Sequence, residues 1–464
     1  MVFKVHNRSL LLTVILLAAT FIHSCSPVDL DFTYTPSSGR TEESPSIRIP
    51  VPDYKNVFIL YSMGYNNLTP YLQTNINDIL KNPISDNPRD VVLIFSHLTK
   101  KREVYSIPTK PTLTKISQNI DGSIQKDTLL ILPETAIASS KETLNEVLSY
   151  IKENFKAERY GMLMSSHGSG WVPTEYLSKG SSFENQFKDE NNKDNDDNDG
   201  LIEICREAMG SELNPNPYRA RIPLVKSIGA HYDGYGNSEE INITDLVSSI
   251  PFKLDYLIFD ACLMGGVEVA YELRNITDKI IASQTEILGD GMHYPSLCGY
   301  LFATGGPDLE SVCKKYYELY DKQSGMYRSA TVSLIDCSKL EALAEITKEI
   351  ISQHRSELTE VQNKRDNIQK YFCPPYTASQ KWYYDFEDII NKCRLTEDEA
   401  STFKTALNET VLYKAATPYF MGRDKLIINN HSGLSMYLPF ATGRVYLNNF
   451  YKNLEWNKAT GLLQ

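Results

Sequence analysis

The sequence predicts an α/β protein in which a mostly parallel central sheet is flanked by helices. Apolar, β-branched runs of strand length recur along the chain, and stretches with helical spacing lie between several of them. Continuous apolar strands separated by helices are typical of a parallel-rich sheet that is covered on both faces. The predicted strands are residues 57–63, 91–98, 128–134, 161–170, 254–262, 279–286, 330–336 and 434–440, the fourth of which runs into a Gly-rich turn.

The first clear helical pattern follows the third predicted strand. Leu144, Leu148 and Ile151 lie on one face of residues 141–156. Ser139 and Glu142 have the spacing of a capping box, which predicts where this helix starts.

Composition and charge indicate a soluble, acidic globular protein. The chain has 464 residues, of which 42% are hydrophobic and 23% charged, and its net charge is −11. No basic patch of the kind that binds nucleic acid occurs in the sequence. Residues 53–464 are predicted to form one body, with a mostly loop, acidic insertion at about 172–240 and a helical elaboration at about 338–430. Because a strand is predicted again at 434–440, after the helical part, we expect the helical part to be an elaboration of the same fold.

The first 24 residues have the pattern of a secretion signal. Lys4 and Arg8 precede an apolar stretch, Leu10 to Ile22, that is too short for a comfortable membrane span. The end of this stretch resembles a bacterial lipobox, in which Cys25 becomes the lipidated first residue of the mature chain.

Residues 25–52 are rich in Ser, Thr and Pro and predict a flexible tether. Leader and tether together predict an exported protein that is anchored by lipid in a bacterial envelope, on its periplasmic or cell-surface side. Because His23 is unusual in a lipobox, plain secretion and an uncleaved anchor remain alternatives.

Cysteine usage indicates a free thiol. The chain has eight Cys, and lipidation of Cys25 would leave seven, an odd number. No CxxC pair occurs, so the sequence favours neither a zinc ribbon nor a thioredoxin motif. Disulfides among the remaining cysteines and buried, reduced thiols are both compatible with their spacing.

Two predicted strands end in residues that suit nucleophilic catalysis. One is followed by His167 and Gly168, and the other ends in Asp260 and Cys262. The C-terminal ends of parallel strands lie on one edge of a sheet, where α/β proteins place their ligand sites. If these strands are neighbours, imidazole and thiol face each other although they are 262 − 167 = 95 residues apart in sequence.

The chemistry of a thiol nucleophile needs both side chains. A free thiol with a pKa of about 8.5 is only a few per cent thiolate at neutral pH, and an imidazole can take its proton or pair with the anion. A helix after Cys262 would add the positive end of its dipole, and the amides of Gly168 and Cys262 are candidate oxyanion donors. The alternatives are a structural role for His167 and a core position for Cys262.

At these residues the sequence resembles the clostripain family of cysteine peptidases, in the same clan as caspases, legumains and gingipains. The similarity lies in SSHGSGW at 165–171, FDACLMGG at 259–266, IASQTEILGDGMHY at 281–294 and LYSMGYNNL at 60–68. It implies a caspase-like α/β sandwich and a Cys-His dyad. In that dyad Cys262 would attack the scissile carbonyl and His167 would transfer protons.

The resemblance also implies cleavage after Arg or Lys, because the family reads the substrate with an acidic residue in its primary specificity pocket. The matching residue is Asp260, and a helix cap for the following segment is the alternative. Family members often cut themselves after the catalytic His; Lys179 is the candidate site here, with Lys188 and Lys193 as rivals. The implied partners are proteins or peptides with Arg or Lys at the cleaved position, and the chemistry requires no cofactor.

Some relatives depend on calcium. Asn195, Asp197 and Asp199 partly match an EF-hand loop, but Arg206 stands where the bidentate Glu is expected. Calcium binding and a solvated acidic loop are both compatible with this pattern.

Two other functions remain open from sequence. One is a catalytically idle surface lipoprotein that binds basic peptides on the same fold. The other is a different acyl-transfer enzyme, such as a transpeptidase, which would use the same thiol and imidazole.

Overall fold

The computed structural model describes residues 53–65, 68–102, 105–119, 121–173, 176, 231–232, 238–239, 241–372, 381–422, 426–440 and 444–464. The predicted signal peptide (1–24), the predicted tether (25–52) and most of the predicted acidic insertion lie outside these residues.

The described residues contain sixteen strands. In chain order they are β1 Tyr54–Gly64, β2 Asp90–Arg102, β3 Tyr105–Pro108, β4 Thr112–Gln118, β5 Ile124–Ile131, β6 Ala157–Ser165, β7 His231–Tyr232, β8 Ser238–Glu239, β9 Tyr256–Asp260, β10 Lys279–Ala282, β11 Thr331–Asp336, β12 Tyr384–Asp385, β13 Val411–Ala416, β14 Tyr419–Phe420, β15 Leu426–Ile427 and β16 Ser435–Met436.

Twelve α-helices accompany them in the same part of the chain. They are α1 Thr69–Lys81, α2 Lys141–Asn154, α3 Ile243–Ser249, α4 Val267–Leu273, α5 Tyr294–Leu301, α6 Leu309–Asp321, α7 Leu340–Gln353, α8 Arg355–Asn363, α9 Phe386–Asn391, α10 Glu397–Thr410, α11 Val445–Lys452 and α12 Glu455–Thr460.

Ten of the strands form one central mixed sheet, in the order β13-β11-β10-β9-β6-β1-β2-β4-β5, with β3 paired to β2. The five middle strands, β10, β9, β6, β1 and β2, run parallel to one another. Antiparallel strands flank them on both sides. The prediction of an α/β fold with a mostly parallel central sheet is confirmed.

Helices cover both faces of this sheet. Along β1, Val57, Ile59 and Tyr61 point into one core, whereas Phe58 and Leu60 point into the other. The first core contains the apolar face of α2, and the second contains the apolar faces of α1 and α6. Both faces of a central parallel strand are thereby removed from water, which explains its unbroken apolar sequence.

The C-terminal third differs from the prediction in two places. Four helices, α7 to α10, lie in the segment 338–430 with the short strand β12 between α8 and α9, but residues 411–416 form β13, an edge strand of the central sheet. The predicted strand at 434–440 is wrong as a strand of that sheet, because only β16 is extended and it pairs with β12 in a separate two-stranded sheet.

Two local features also differ from the prediction. The strand β4 was not predicted, because its alternating sequence TLTKISQ is only half buried and lacks a continuous apolar run. The start of α2 is capped by Ser140, whose side chain accepts a hydrogen bond from Thr143 N, and not by Ser139.

Within the described residues, no helix is both long and apolar enough to span a membrane.

Candidate active site

The strands that carry the two candidate motifs are neighbours. β6 and β9 pair in parallel, with Ser165 opposite Asp260. The two strands are therefore neighbours, as the prediction required, and the residues that follow them emerge at the same edge of the sheet. His167 is partly exposed there, and Cys262 is 2% exposed.

The two loops touch through their backbones. A Cβ atom added to Gly168 would lie 2.3 Å from the carbonyl oxygen of Cys262 and 2.9 Å from its nitrogen. A Cβ atom on Gly170, whose φ is +63°, would lie 2.8 Å from the carbonyl oxygen of Leu263. Only glycine allows this approach, so the Gly-rich turn brings the residues after His167 against the backbone of Cys262.

Gly168→Ala is therefore expected to push the two loops apart. Because the blocking atoms belong to backbone, we expect the free energy of unfolding to fall by about 1–3 kcal/mol, with slower alkylation of the Cys262 thiol. The matched control is Gly299→Ala, since Gly299 lies in α5 and its added Cβ would meet nothing within 4 Å. That control should gain about 0.5–1 kcal/mol from helix propensity. Chemical denaturation and iodoacetamide labelling measure both effects, and equal stability changes in the two variants would contradict this account of Gly168.

The segment after β10 holds the thiol of Cys262. The backbone N–H of Ile287 donates a hydrogen bond to Sγ at 3.2 Å, and Sγ lies 3.8 Å from the Ile287 carbonyl oxygen. Two backbone hydrogen bonds tie the same segment to the Cys262 loop, from Leu263 N to the Thr285 oxygen and from Gly265 N to the Ser283 oxygen. A backbone donor at sulfur favours the thiolate form.

This contact differs from the expected helix dipole. The helix after Cys262, α4, begins only at Val267 and has Gly266 as its N-cap. Because a helix dipole acts within the first turn, it contributes little at Cys262. The Ile287 amide, which the sequence did not reveal, supplies the positive partial charge instead.

Backbone strain lies beside the thiol. Leu263, directly after Cys262, has a φ of 61°, in the left-handed region that bulky residues rarely adopt. Such strain persists where surrounding structure fixes the backbone, and it is concentrated at functional sites.

Asp260 lies fully buried at the end of β9. Its Oδ2 accepts hydrogen bonds from the Ser165 hydroxyl at 2.8 Å and the Tyr294 hydroxyl at 2.6 Å. Burial, with the nearby negative charge of Asp260, raises the pKa of Tyr294 well above its usual value, so this phenol stays a donor. Asp260 is not the cap of α4, whose N-cap is Gly266.

A second buried phenol lies near these groups. Tyr316, on α6, has its pKa raised by burial and by the charges of Asp260 and Cys262. Its ring packs against that of Tyr320, with 5.0 Å between the ring centroids, and the Tyr320 hydroxyl donates to the Gly291 carbonyl oxygen. Tyr294 ends the motif at 281–294, but the sequence assigned no role to it, and nothing in the local pattern marks Tyr316 or Tyr320.

The other described cysteines are buried as deeply as Cys262. They are buried thiols that form no disulfide within the described residues: Cys298, Cys313, Cys337 and Cys393. Burial raises the pKa of Cys298, Cys337 and Cys393 to about 12 and that of Cys313 further. These thiols remain protonated at neutral pH and are poor nucleophiles.

The predicted site residues thus fall into two groups. His167, Gly168, Asp260 and Cys262 lie together at the ends of β6 and β9. Cys25, the candidate cleavage residue Lys179 with its rivals, and the EF-hand-like run 195–206 lie outside the described residues. Within the described part of the chain, no group of three or more His, Cys, Asp or Glu side chains is arranged to hold a metal ion.

Comparison with known families gives a direct match. The model of the clostripain family matches residues 60–196 and 218–461, which include both site loops. The chain belongs to the clostripain family. This confirms the resemblance seen in the motifs at His167 and Cys262. A curated relative in the same family is clostripain of Hathewaya histolytica, which is 22% identical over 348 residues. That match covers 64% of this chain and 56% of clostripain, so the chain spans little more than half the length of this relative.

Solved structures of family members have the same fold. An inactive zymogen of a C11 protease from Parabacteroides distasonis is 25% identical, with a TM-score of 0.63, and the match covers 89% of this chain and 99% of that one. A secreted C11 cysteine protease from Bacteroides thetaiotaomicron, iotapain, is 24% identical with a TM-score of 0.64 over 89% of this chain and all of that one. The caspase-like fold expected from the resemblance is therefore confirmed.

Proposed function

We propose that the protein is a cysteine endopeptidase that cleaves peptide bonds after Arg or Lys, with Cys262 as nucleophile and His167 as its proton-transfer partner. The observation that supports this most is the parallel pairing of β6 with β9, together with the contact between Gly168 and the backbone of Cys262. It brings an imidazole and a thiol to one edge of the sheet in a family of cysteine peptidases.

The proposed reaction follows from these groups. His167 accepts the thiol proton, and the Cys262 thiolate attacks the scissile carbonyl carbon to form a C–S bond. The C–N bond then breaks, and the protonated imidazole gives its proton to the leaving amine. Water hydrolyses the thioester, with His167 again handling the proton. The amides of Gly168 and Cys262 are the proposed donors to the oxyanion.

Asp260 is the residue proposed to bind the basic side chain of the substrate. It lies two residues before the nucleophile, and two neutral hydroxyls, from Ser165 and Tyr294, fix one of its oxygens. A guanidinium or ammonium group that reaches this carboxylate pairs with it in a site screened from water, where charge-assisted hydrogen bonds are strongest. Such pairing gives selectivity for a basic side chain over a neutral one.

We further propose that the chain is made as a precursor that cuts itself after Lys179. The burial of Cys262 in this structure fits a precursor, and the Parabacteroides distasonis relative was solved as an inactive zymogen. A cut between the two site loops would place them on separate chains and free the segment that joins them to change its position.

Export, lipidation at Cys25 and calcium binding near 195–206 are also proposals. They rest on the sequence patterns of the leader and the acidic run. Mass spectrometry of the mature N-terminus tests the first two, and activity measured with and without a calcium chelator tests the third.

The experiment that tests the proposed cleavage is a panel of fluorogenic peptides with Arg, Lys, Asp or Leu at the cleaved position. We expect turnover of the Arg and Lys peptides and little turnover of the others. Cleavage of no peptide, with retained binding of basic peptides, would favour the idle binding protein. Products in which an added amine replaces water would favour a transpeptidase.

A further inference from the structure

We infer that Glu268 is a positioning residue that holds the loop after His167 and the loop around Cys262 in a fixed relation, acting through the C-terminal segment. The inference rests on the proposed function of the dyad. Glu268 lies in the first turn of α4, six residues after Cys262, and is fully buried.

On one side, Glu268 binds the C-terminal segment. Its Oε1 accepts hydrogen bonds from the backbone N–H of Tyr437 at 2.7 Å and from the Tyr451 hydroxyl at 2.9 Å. Close by, Ser435 N donates to the Gly265 carbonyl oxygen at 2.9 Å. The loop between Cys262 and α4 is therefore bound to Ser435, Tyr437 and Tyr451 as well as to the central sheet.

On the other side, the same tyrosines hold the His167 loop. Trp171 is buried against the rings of Tyr437 and Tyr451, each with a centroid distance of 4.8 Å, and those two rings lie 4.9 Å apart. We call Trp171, Tyr437 and Tyr451 the aromatic clamp. Because Trp171 follows His167 by four residues, a shift of the clamp moves the turn that carries the imidazole.

A second contact fixes the same turn. The Tyr383 hydroxyl donates to the Ser169 carbonyl oxygen at 2.6 Å, and the Tyr383 ring lies against Gly170. The loop after His167 is thus held from the C-terminal region at two points, Tyr383 and the aromatic clamp. Both points are joined to the Cys262 side: Tyr383 through the pairing of β12 with β16, and the clamp through Glu268.

The acceptor at Oε1 matters here rather than the charge. Burial raises the pKa of Glu268 to about 7, while the hydrogen bonds from Tyr437 N and Tyr451 lower it. Of the two tyrosines, Tyr451 turns its phenol toward the carboxyl, and burial together with the charge of Glu268 raises the pKa of that phenol, whereas the Tyr437 hydroxyl donates to Asn448. A glutamine keeps the same oxygen acceptor without a charge, whereas alanine leaves Tyr437 N and the Tyr451 hydroxyl without this acceptor.

The test compares Glu268→Ala, Glu268→Gln and Tyr451→Phe with the control Glu272→Ala. Glu272 lies one turn further along α4, is also buried, and accepts from the backbone N–H of Glu455, which lies away from the site loops. Both alanine variants therefore deprive a backbone donor of its partner, so both are expected to lower Tm. Each variant is assayed below its own Tm.

Among these variants, only the changes at Glu268 and Tyr451 are expected to lower the catalytic rate, whereas Glu272→Ala should not. For Glu268→Ala we expect kcat to fall by about 10- to 100-fold with little change in KM, because sulfur and imidazole lose their alignment. In Tyr451→Phe kcat should fall less than in Glu268→Ala, and in Glu268→Gln it should stay close to the wild-type value. Alkylation of Cys262, followed against pH, should slow in parallel with kcat and stay normal in Glu272→Ala.

Alkylation reports on the thiol and imidazole even if no peptide of the panel is cleaved, so failure of the proposed cleavage and failure of the positioning role give different results. A Glu268→Ala protein with wild-type kcat and alkylation overturns the inference. The inference is also overturned if Glu272→Ala, at the same Tm as Glu268→Ala, loses as much kcat and as much of its Cys262 alkylation rate.

Discussion

Cys262→Ala is expected to abolish peptide cleavage. Removal of a catalytic nucleophile costs about 10⁴-fold or more in kcat, and what remains comes from binding and oxyanion stabilisation. The substitution removes a sulfur atom that contacts the amide and carbonyl of Ile287, and alanine fits the same buried position, so the fold should persist. Active-site titration and initial rates on the Arg and Lys peptides measure the loss.

Cys298→Ala is the matched control for this variant. Cys298 is also a buried thiol without a disulfide, but it lies in α5 within the second core, and burial holds its pKa at about 12. It should keep full activity. Iodoacetamide should modify Cys262 much faster than the other described thiols, and comparable rates at Cys298 would count against a reactive Cys262.

Cys262→Ala also tests self-processing. If the chain cuts itself, purified Cys262→Ala protein stays uncleaved, and N-terminal sequencing of the wild type finds a new start after Lys179. An identical cut in both proteins would assign the processing to another peptidase.

The central sheet and the meeting of the two candidate loops at one edge were predictable from sequence because both depend on local pattern. Strands buried on both faces, such as β1 and β9, need continuous apolar runs, and the runs are visible. The rule that parallel strands end at one edge then brought His167 and Cys262 together without any distance information.

What could not be predicted depends on contacts between distant segments. The Ile287 amide reaches Sγ from 25 residues away, and Glu268 reaches Tyr451 across 183 residues. Backbone donors carry no sequence signal, and a lone Tyr or Glu in an apolar stretch is ambiguous. The segment 434–440 has the pattern of a buried strand because it is buried, yet it packs beside the Cys262 loop instead of joining the sheet.

Asp260→Asn is expected to remove the preference for basic residues while leaving the thiol reactive. The amide keeps the shape of the carboxylate and an oxygen that accepts from Ser165 and Tyr294, so the site should retain its structure. It loses the charge that is proposed to pair with the substrate. Loss of one partner of a buried charge pair costs about 2–5 kcal/mol, so kcat/KM for Arg and Lys peptides should fall by about 30- to 4,000-fold.

The decisive quantity is the ratio of kcat/KM between basic and neutral peptides, and not the absolute rate. A general loss of structure lowers kcat/KM for every peptide alike. Loss of the carboxylate that binds the basic side chain lowers it for the Arg and Lys peptides only. Asp255→Asn serves as the control, because Asp255 lies just before the start of the same strand and its carboxylate accepts from Tyr160 N at 2.9 Å. That variant should lose stability without a change in the ratio. If Asp260→Asn also leaves the ratio unchanged while Cys262 is alkylated at the normal rate, the basic side chain is read elsewhere, and Asp260 serves to hold Ser165 and Tyr294 in the core.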